Sequence, residues 1–489
     1  MTEWHLKSIA ELSLALKNKE VTSVELTEHF LKRIEEFNPS LNCYIEITAD
    51  LARKQAHDAD IRLSNGTATA LTGIPYAHKD IFCTQGVRTT CGSKMLSNFI
   101  APYNATVTTK LNDIQGMVML GKTNMDEFAM GSSNEHSFFG PCKNPYDLKR
   151  APGGSSGGSA SAVAAGLAPF ATGTDTGGSI RQPASFCNLV GIKPTYGRIS
   201  RYGMIAFASS LDQAGPLTQT VADAALTLQA MSGFDEKDST SINAEVPDYF
   251  NLLEKGPSCF NVGVPRSFFD AMDLPSQQEF QKILDSIVKS GGTVEFFDLD
   301  IKDYVIPTYY IIAPAEASSN LARYDGVRYG YRSENAKNLN ELYMKTRGEG
   351  FGAEVKRRIL MGTYVLSSGY YDAFYQQAQR VRTLVTEKFK EAFSRYHAIA
   401  TPTTLSEAFE LGSHDNDPVA MYYSDLCTVS VNLADLPAIS LPLMLRNGLP
   451  FGFQLIGNHF DELTLLQLAH KLEKLHPWAH RHSQIKERT

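Results

Sequence analysis

The sequence predicts an α/β protein: one large domain built on a central mixed β-sheet with helices on both faces. Three observations carry this. From Gly73 onward, short apolar runs such as "GIPYAHKDIF" and "GMVMLGKTN" alternate with helical patterns such as "ATVTTKLNDIQ", the texture of strands interleaved with helices. Strand-like runs return near the other end, in "HAIATPT", "PAISLPL" and "PFGFQLIG", so both ends of the chain can feed one sheet. No internal repeat and no linker-like stretch divides the 489 residues, although length alone would allow about three domains.

Taken in order, residues 1–65 read helical. Thr22 and Glu25 form a T-x-x-E capping box, Leu26, Phe30 and Ile34 recur on one face, and Pro39 is expected to close that helix. Residues 73–216 follow as the strand-and-loop core, and 153–216 is unusually rich in Gly, Ser and Ala. Apolar residues keep interrupting that stretch, so it reads as folded backbone rather than a flexible linker. Residues 275–396 read mainly helical, with "PSQQEFQKILDSIVKSGG" ending on a glycine pair. Residues 397–489 return to strands and end with the helix "DELTLLQLAHKLEKL" and a polar tail.

Composition limits the function. With 43% hydrophobic and 20% charged residues the chain is that of an ordinary globular protein. A net charge of −7 argues against a chain that grips nucleic acid by itself. The seven cysteines are scattered with no C-x-x-C pair, which fits a reducing cytoplasm. No run of 18 apolar residues appears, and "MTEWHLKSIAELS" lacks a basic region leading into an apolar one. Neither a membrane span nor a signal peptide is therefore expected.

The chemistry concentrates in "GGSSGGSA" (153–160) and "GTDTGGSIRQPA" (173–184), where serines sit among glycines, yet no histidine falls between Lys143 and Gly352. A phosphate loop would need G-x-x-x-x-G-K-[ST], and no lysine lies between Arg150 and Lys193. Gly153-x-Ser155-x-Gly157 matches the G-x-S-x-G elbow, which needs an acid and a histidine downstream; His397 and His480 are available. A buried, neutral lysine offers a third kind of base. Ser286-x-x-Lys289 lies on an amphipathic helix and reads as a solvated face, whereas Lys79 interrupts the apolar run of a buried strand. Strand alternation then turns His78 away from whatever Lys79 faces.

Gly153, Gly154, Ser155, Ser156, Gly157 and Gly158 open a pattern that Asp175, Gly177, Ser179, Ile180, Arg181, Pro183 and Ala184 close, and Lys79 lies in the upstream segment "GIPYAHKD". In these positions the chain resembles the amidase signature family. The resemblance implies a single amidase-signature domain and a Ser-Ser-Lys triad: Ser179 as acyl-forming nucleophile, Ser155 as relay, Lys79 as base. It also implies an oxyanion hole from the backbone N–H groups of Thr176, Gly177, Gly178 and Ser179, with Asp175 and Arg181 bracing the loop.

Further stretches, "NMDEFAMGSSNEHSFFGPCKNP", "EASSNLARYDGVRYG" and "GEGFGAEVKRRILMGTY", are similar to the A subunits of glutamine-dependent amidotransferases that act on misacylated tRNA. That likeness implies glutamine as substrate and B and C subunits as partners in a heterotrimer. ATP and Mg would be used by the partner, tRNA would be held mainly by it, and this chain would need no cofactor. Within "AEVKRRILMG", Val355, Arg358, Ile359 and Gly362 share a helical face, which makes Arg358 the inward candidate for the substrate carboxylate. Asp425 matches the acid for the ammonium, Tyr309 a substrate-contacting tyrosine, and Ser132 a further lining residue. A free-standing amidase acting on another small amide is the alternative. Asp435 stands where the family often has Gly, and His78 where an apolar residue is usual. No metal site is expected, since Pro477 and a polar end surround His476 and His480 in "HPWAHRH".

Overall fold

In the computed structural model, which describes residues 3–257, 259–414 and 417–478, the alternation resolves into one sheet of eleven strands. These are β1 (Tyr44–Ile47), β2 (Pro75–Lys79), β3 (Val118–Thr123), β4 (Phe170–Asp175), β5 (Val190–Lys193) and β6 (Gln213–Thr218), then β7 (Asn261–Pro265), β8 (Thr293–Phe297), β9 (Ala398–Pro402), β10 (Ala438–Arg446) and β11 (Leu449–Ile456). Their order is β1-β3-β2-β4-β6-β5-β10-β11-β9-β7-β8. The sheet is mixed: β3, β2 and β4 run parallel, β4 through β9 pair antiparallel, and β9, β7 and β8 are parallel again. Strands from both ends of the sequence thus share one sheet.

The central strands are rich in apolar and small residues because they are covered on both sides, and their few charged or polar members, such as Lys122 and Lys193, are buried with them. Every residue of β2, β3, β4, β5 and β6 is buried, as expected where helices lie on a parallel segment. Helix Gly157–Ala164 packs on β2 and β4, Arg181–Phe186 on β5, β10 and β11, and Glu462–Leu475 on β10. The small residues of 157–164 let backbone approach backbone: a Cβ on Gly158 would meet the Asn124 carbonyl oxygen.

The topology selects the site. Because β2 and β4 are parallel neighbours, Lys79 and Asp175 both stand at the carboxyl ends of their strands, on one edge of the sheet. Crevices beyond carboxyl strand ends are where α/β sheets bind ligands.

Local departures have local causes. The capping box at Thr22 and Glu25 forms, but helix Ser23–Leu41 runs through Pro39 and ends at Asn42, whose φ of 53° is left-handed. Pro39 therefore sits in the last turn rather than terminating it. Residues 106–114 make one α turn followed by a π turn. The 351–396 region divides into Ala353–Val365 and Gln377–Phe393, separated by a π turn at Tyr371–Gln376. Upstream of it, Lys302–Asn320 continues as a helix across Pro307 and Pro314. It packs closely against Ala353–Val365, and Gly362 makes this possible, since a Cβ there would collide with the Pro314 carbonyl. Asp435 adopts φ 59°, so the turn is kept without glycine, and its carboxylate accepts from Arg382 at 3.0 Å. Asp tolerates that conformation better than most residues.

Candidate active site

Lys79 is completely buried, and its ammonium nitrogen lies 2.8 Å from each of three hydroxyls: Ser155 Oγ, Ser156 Oγ and Thr174 Oγ1. Burial pulls its pKa down to about 7, against the nearby carboxylates of Asp126, Asp175 and Asp212, which favour the charged form. A lysine that is neutral about half the time at pH 7 is competent as a base. His78 takes no part: its ring nitrogens bond to Thr172 and Thr108, each at 2.9 Å, and burial holds it well below the usual histidine range.

Ser155 follows Gly154 through a cis peptide bond, in the loop that opens into helix Gly157–Ala164. Ser179 lies in the loop after β4. The two loops touch where Ser156 N–H donates to the Ser179 carbonyl at 3.2 Å. Ser155 and Lys79 are sealed at 0% exposure, whereas Ser179 retains 8%. Of the three, only Ser179 has any exposure to solvent. Its Oγ has no hydrogen-bond partner among the described residues, so the Ser155–Ser179 leg of the relay is not closed in this structure.

Asp175 organises the nucleophile loop. It accepts N–H donors from Gly178, Ile180 and Arg181, and the Arg181 guanidinium reaches it through Nε at 3.0 Å and Nη2 at 2.9 Å. Burial pushes the carboxyl up, but the Arg181 charge and these bonds outweigh it and hold the pKa at about 2. Arg181 spends its remaining donors on Gln454, Asn432 and the Thr428 carbonyl. The pair braces and does not react.

The expected oxyanion donors are reduced by one. The Gly178 N–H is occupied by Asp175 Oδ1 at 2.9 Å, which leaves the N–H groups of Thr176, Gly177 and Ser179. Gly178 has φ of 140°, and a Cβ there would run into Thr428 Oγ1; one on Gly177 would lie 2.8 Å from Tyr309 Oη. The glycines serve curvature and clearance.

The four binding candidates converge on one wall. Arg358 is 2% exposed, stacked among Phe207, Tyr310 and Tyr422 at 5.3–5.6 Å from their ring centres. Its Nε donates to Glu354 Oε1 at 2.8 Å, and no partner for its terminal nitrogens is recorded among the described residues. Burial opposes its charge, but Tyr310 and Glu354 raise its pKa above the ordinary arginine value. Asp425 accepts from Ser132 Oγ at 2.7 Å and Tyr310 Oη at 3.4 Å, and burial lifts its pKa to about 7. Tyr310 thereby touches the cation with its ring and the acid with its hydroxyl. Tyr309 is buried with its ring against Gly177, where the pocket wall meets the nucleophile loop.

Sequence reasoning missed Ser156 and Thr174, which hold Lys79 as closely as Ser155 does; both stand one position from a residue it had singled out. It also missed Glu354, Tyr310 and Tyr422. Glu354 had a signal, since an acid four residues before an arginine on a helix is a paired arrangement. The two tyrosines had none. His476 bonds to Ser286, and His480 lies outside the described residues. No group of three or more His, Cys, Asp or Glu that could hold a metal is found among the described residues.

A buried lysine set among hydroxyls at the carboxyl edge of a mixed sheet, with a partly open serine on a glycine turn beside it, defines the class as α/β proteins of the serine–lysine kind. Likeness to known proteins narrows this. The chain matches the Amidase family model over residues 25–466 and belongs to that family. It is 57% identical over 475 residues to the A subunit of glutamyl-tRNA(Gln) amidotransferase from Coxiella burnetii, covering 97% of this chain and 98% of the relative. The namesake protein of Nitrosococcus oceani is 56% identical over 482 residues, with 97% and 98% covered. The crystal structure of the corresponding A subunit from Thermotoga maritima superposes with a TM-score of 0.80 at 39% identity, covering 97% of this chain and 96% of that one. A bacterial aryl acylamidase of the amidase signature family superposes at 0.86 with 26% identity, covering 98% of each chain. The fold is therefore shared by amidotransferase components and by an aryl acylamidase, and sequence identity separates them. Like its relatives, the chain is an amidase-family enzyme.

Proposed function

We propose that this chain is the glutaminase component of a tRNA-dependent amidotransferase. Ser179 Oγ attacks the side-chain amide carbon of glutamine while its proton passes through Ser155 to neutral Lys79. The N–H groups of Thr176, Gly177 and Ser179 receive the developing oxyanion; losing one such donor typically costs about 3–4 kcal/mol. The lysine returns the proton through Ser155 to the leaving nitrogen, which departs as ammonia. Water then attacks the acyl-serine ester, released as glutamate with Ser179 restored.

The observation that carries the substrate is the Arg358–Tyr310–Asp425 arrangement. A cation and an acid joined through one tyrosine suit the α-carboxylate and α-ammonium of a free amino acid, with Tyr309 and Ser132 completing the wall. A neutral aryl amide would make no charge-assisted bond to the free end of Arg358 or to Asp425, forgoing about 1–3 kcal/mol at each. The near-full-length likeness to the A subunits of such enzymes supports B and C partners, with ATP and Mg used by the partner and tRNA held mainly there. The net charge of −7 supports the last point, and a cytoplasmic setting fits seven unpaired cysteines, of which all but Cys259 are buried. No helix of the described residues is long and apolar enough to cross a membrane. In this reading residues 73–216 supply the chemistry, 275–396 the carboxylate arm, and 397–489 the ammonium arm, within one amidase-signature domain that begins with the helices of 1–65.

The chain co-purified with its accompanying subunits is to be assayed against glutamine, asparagine and an aryl amide, with Ser179 trapped as an acyl adduct. Glutamine preference with the adduct on Ser179 is expected. Preference for the aryl amide, or the absence of accompanying subunits, would favour the free-standing alternative.

A further inference from the structure

Between Phe207 and Asp212 the chain makes a tight turn just before β6, closed by Leu211 N–H and Asp212 N–H donating to the Ala208 carbonyl, both at 2.9 Å. Asp212 is buried at the inner side of this turn. One carboxylate oxygen accepts from Thr176 Oγ1 at 2.7 Å; the other accepts from Phe207 N–H at 2.9 Å. Thr176 begins the loop whose amides face Ser179, and the Phe207 ring packs 5.6 Å from the Arg358 guanidinium carbon. One side chain thus holds the chemical half of the site with one oxygen and the backing of the binding half with the other.

The outer side of the turn is held as firmly. Glu316 accepts from Ser210 N–H at 2.8 Å and from its hydroxyl at 2.6 Å, and Arg382 donates to the Ser210 hydroxyl and carbonyl at 2.8 and 3.1 Å. Asn320 donates to the Phe207 carbonyl at 3.1 Å. Glu316 and Asn320 belong to helix Lys302–Asn320, the same helix that presents Tyr309 and Tyr310. The turn is therefore tied to both walls of the site and has little freedom to move with one alone.

We propose that the turn 207–212 is a positioning element shared by the two halves of the site, and that Asp212 is its positioning residue. The inference rests on the glutaminase reading for its binding half only. Asp212 touches neither substrate nor the reacting atoms. It acts by fixing where the Thr176 loop and the Phe207 ring stand.

Three variants of the full chain, purified with its accompanying subunits, test this through the division between kcat and KM. Thr176→Val removes one hydroxyl and should lower kcat about tenfold, since small misplacements of reacting groups cost that much or more, while KM for glutamine stays within about twofold. Phe207→Leu should raise KM for glutamine about fivefold, the scale of a lost cation–π contact, with kcat within about twofold. Asp212→Asn, which keeps one acceptor and loses the other, should move both constants when measured well above pH 7, where Lys79 is neutral with or without the Asp212 charge. The proposal is overturned if Thr176→Val leaves kcat unchanged, or if Phe207→Leu leaves KM unchanged. It is also overturned if Asp212→Asn lowers only the fraction of protein that can be acylated. Should Asp212→Asn not fold, the two one-sided variants still decide. If the wild type hydrolyses a neutral amide but not glutamine, the glutaminase reading fails, and the effect of Thr176→Val on that amide still judges the turn.

Discussion

The catalytic pit and the wall opposite it are built from different materials. Among the described residues the Lys79 nitrogen bonds only to short side-chain hydroxyls, those of Ser155, Ser156 and Thr174. Around Arg358 the groups are long and aromatic, and Phe207, Tyr310 and Tyr422 come from three separated segments. The pit is set by the ends of two adjacent parallel strands, which carry Lys79 and Thr174, and by the loop holding Ser155 and Ser156, so its positions are fixed by the sheet although Lys79 lies 76–95 residues from its partners. The wall is assembled from two helices, which carry Tyr309, Tyr310 and Arg358, together with the 207–212 turn and the segments around Ser132 and Asp425. Chemistry tolerates the least positional error, and here it rests on the least flexible parts.

If this division is right, substitutions on the two sides should fail differently. The largest effect is expected in the pit: Ser179→Ala or Lys79→Ala should lower kcat for every amide by about 10⁴-fold or more, as removal of a nucleophile or its base does elsewhere. Steady-state hydrolysis of glutamine and of a neutral amide checks this; a Lys79→Ala enzyme with appreciable rate would break the comparison. On the wall, Arg358→Lys or Asp425→Asn should raise KM for glutamine about 10–100-fold, the cost of losing a charge-assisted bond, with the neutral amide nearly unaffected. Equal losses on both substrates would erase the distinction.

Acidity sharpens it further. In the proposed mechanism Lys79 must be neutral to act and Asp425 ionised to hold an ammonium, and both are drawn to about 7 by burial. Lowering the pH protonates both groups, so activity is lost downward through 7. Well below pH 7, log kcat/KM for glutamine should therefore rise with a slope near 2, and for a neutral amide with a slope near 1. Identical slopes would remove Asp425 from substrate binding. The smallest expected effect is that of Glu354→Gln, which keeps an acceptor for Arg358 Nε but removes its counter-charge. KM for glutamine should rise about threefold to tenfold, on the scale of a charged against a neutral hydrogen bond, with kcat unchanged.

The same contrast explains what could be read from sequence. Ser155, Ser179 and the glycines between them lie within a few turns of one another, and conformation at such positions restricts residue type so tightly that the pattern is legible directly. The sheet was legible because central strands buried on both faces are written as short, mainly apolar runs between turn residues. Lys79 stood out because it breaks such a run. Arg358, by contrast, was placed inward by helical spacing together with family resemblance. Tyr310 and Tyr422 went unread, because an aromatic on a helix looks alike whether it fills core or lines a pocket. The Gly178 donor was also misjudged, since only coordinates show that Asp175 already holds its N–H.

The three hydroxyls around Lys79 have a consequence for durability. A site made of alcohols, amides and one amine contains no thiolate for peroxide to convert to sulfenic or sulfinic acid. It also offers no imidazole or sulfur to a stray copper or zinc ion. The thiol whose charge would bear on Lys79, that of Cys91, is buried and pushed well above the usual cysteine range, so it stays protonated and unreactive. Under the proposed mechanism, nitrogen release here would lack the thiolate through which oxidants and soft metals silence a cysteine-based equivalent.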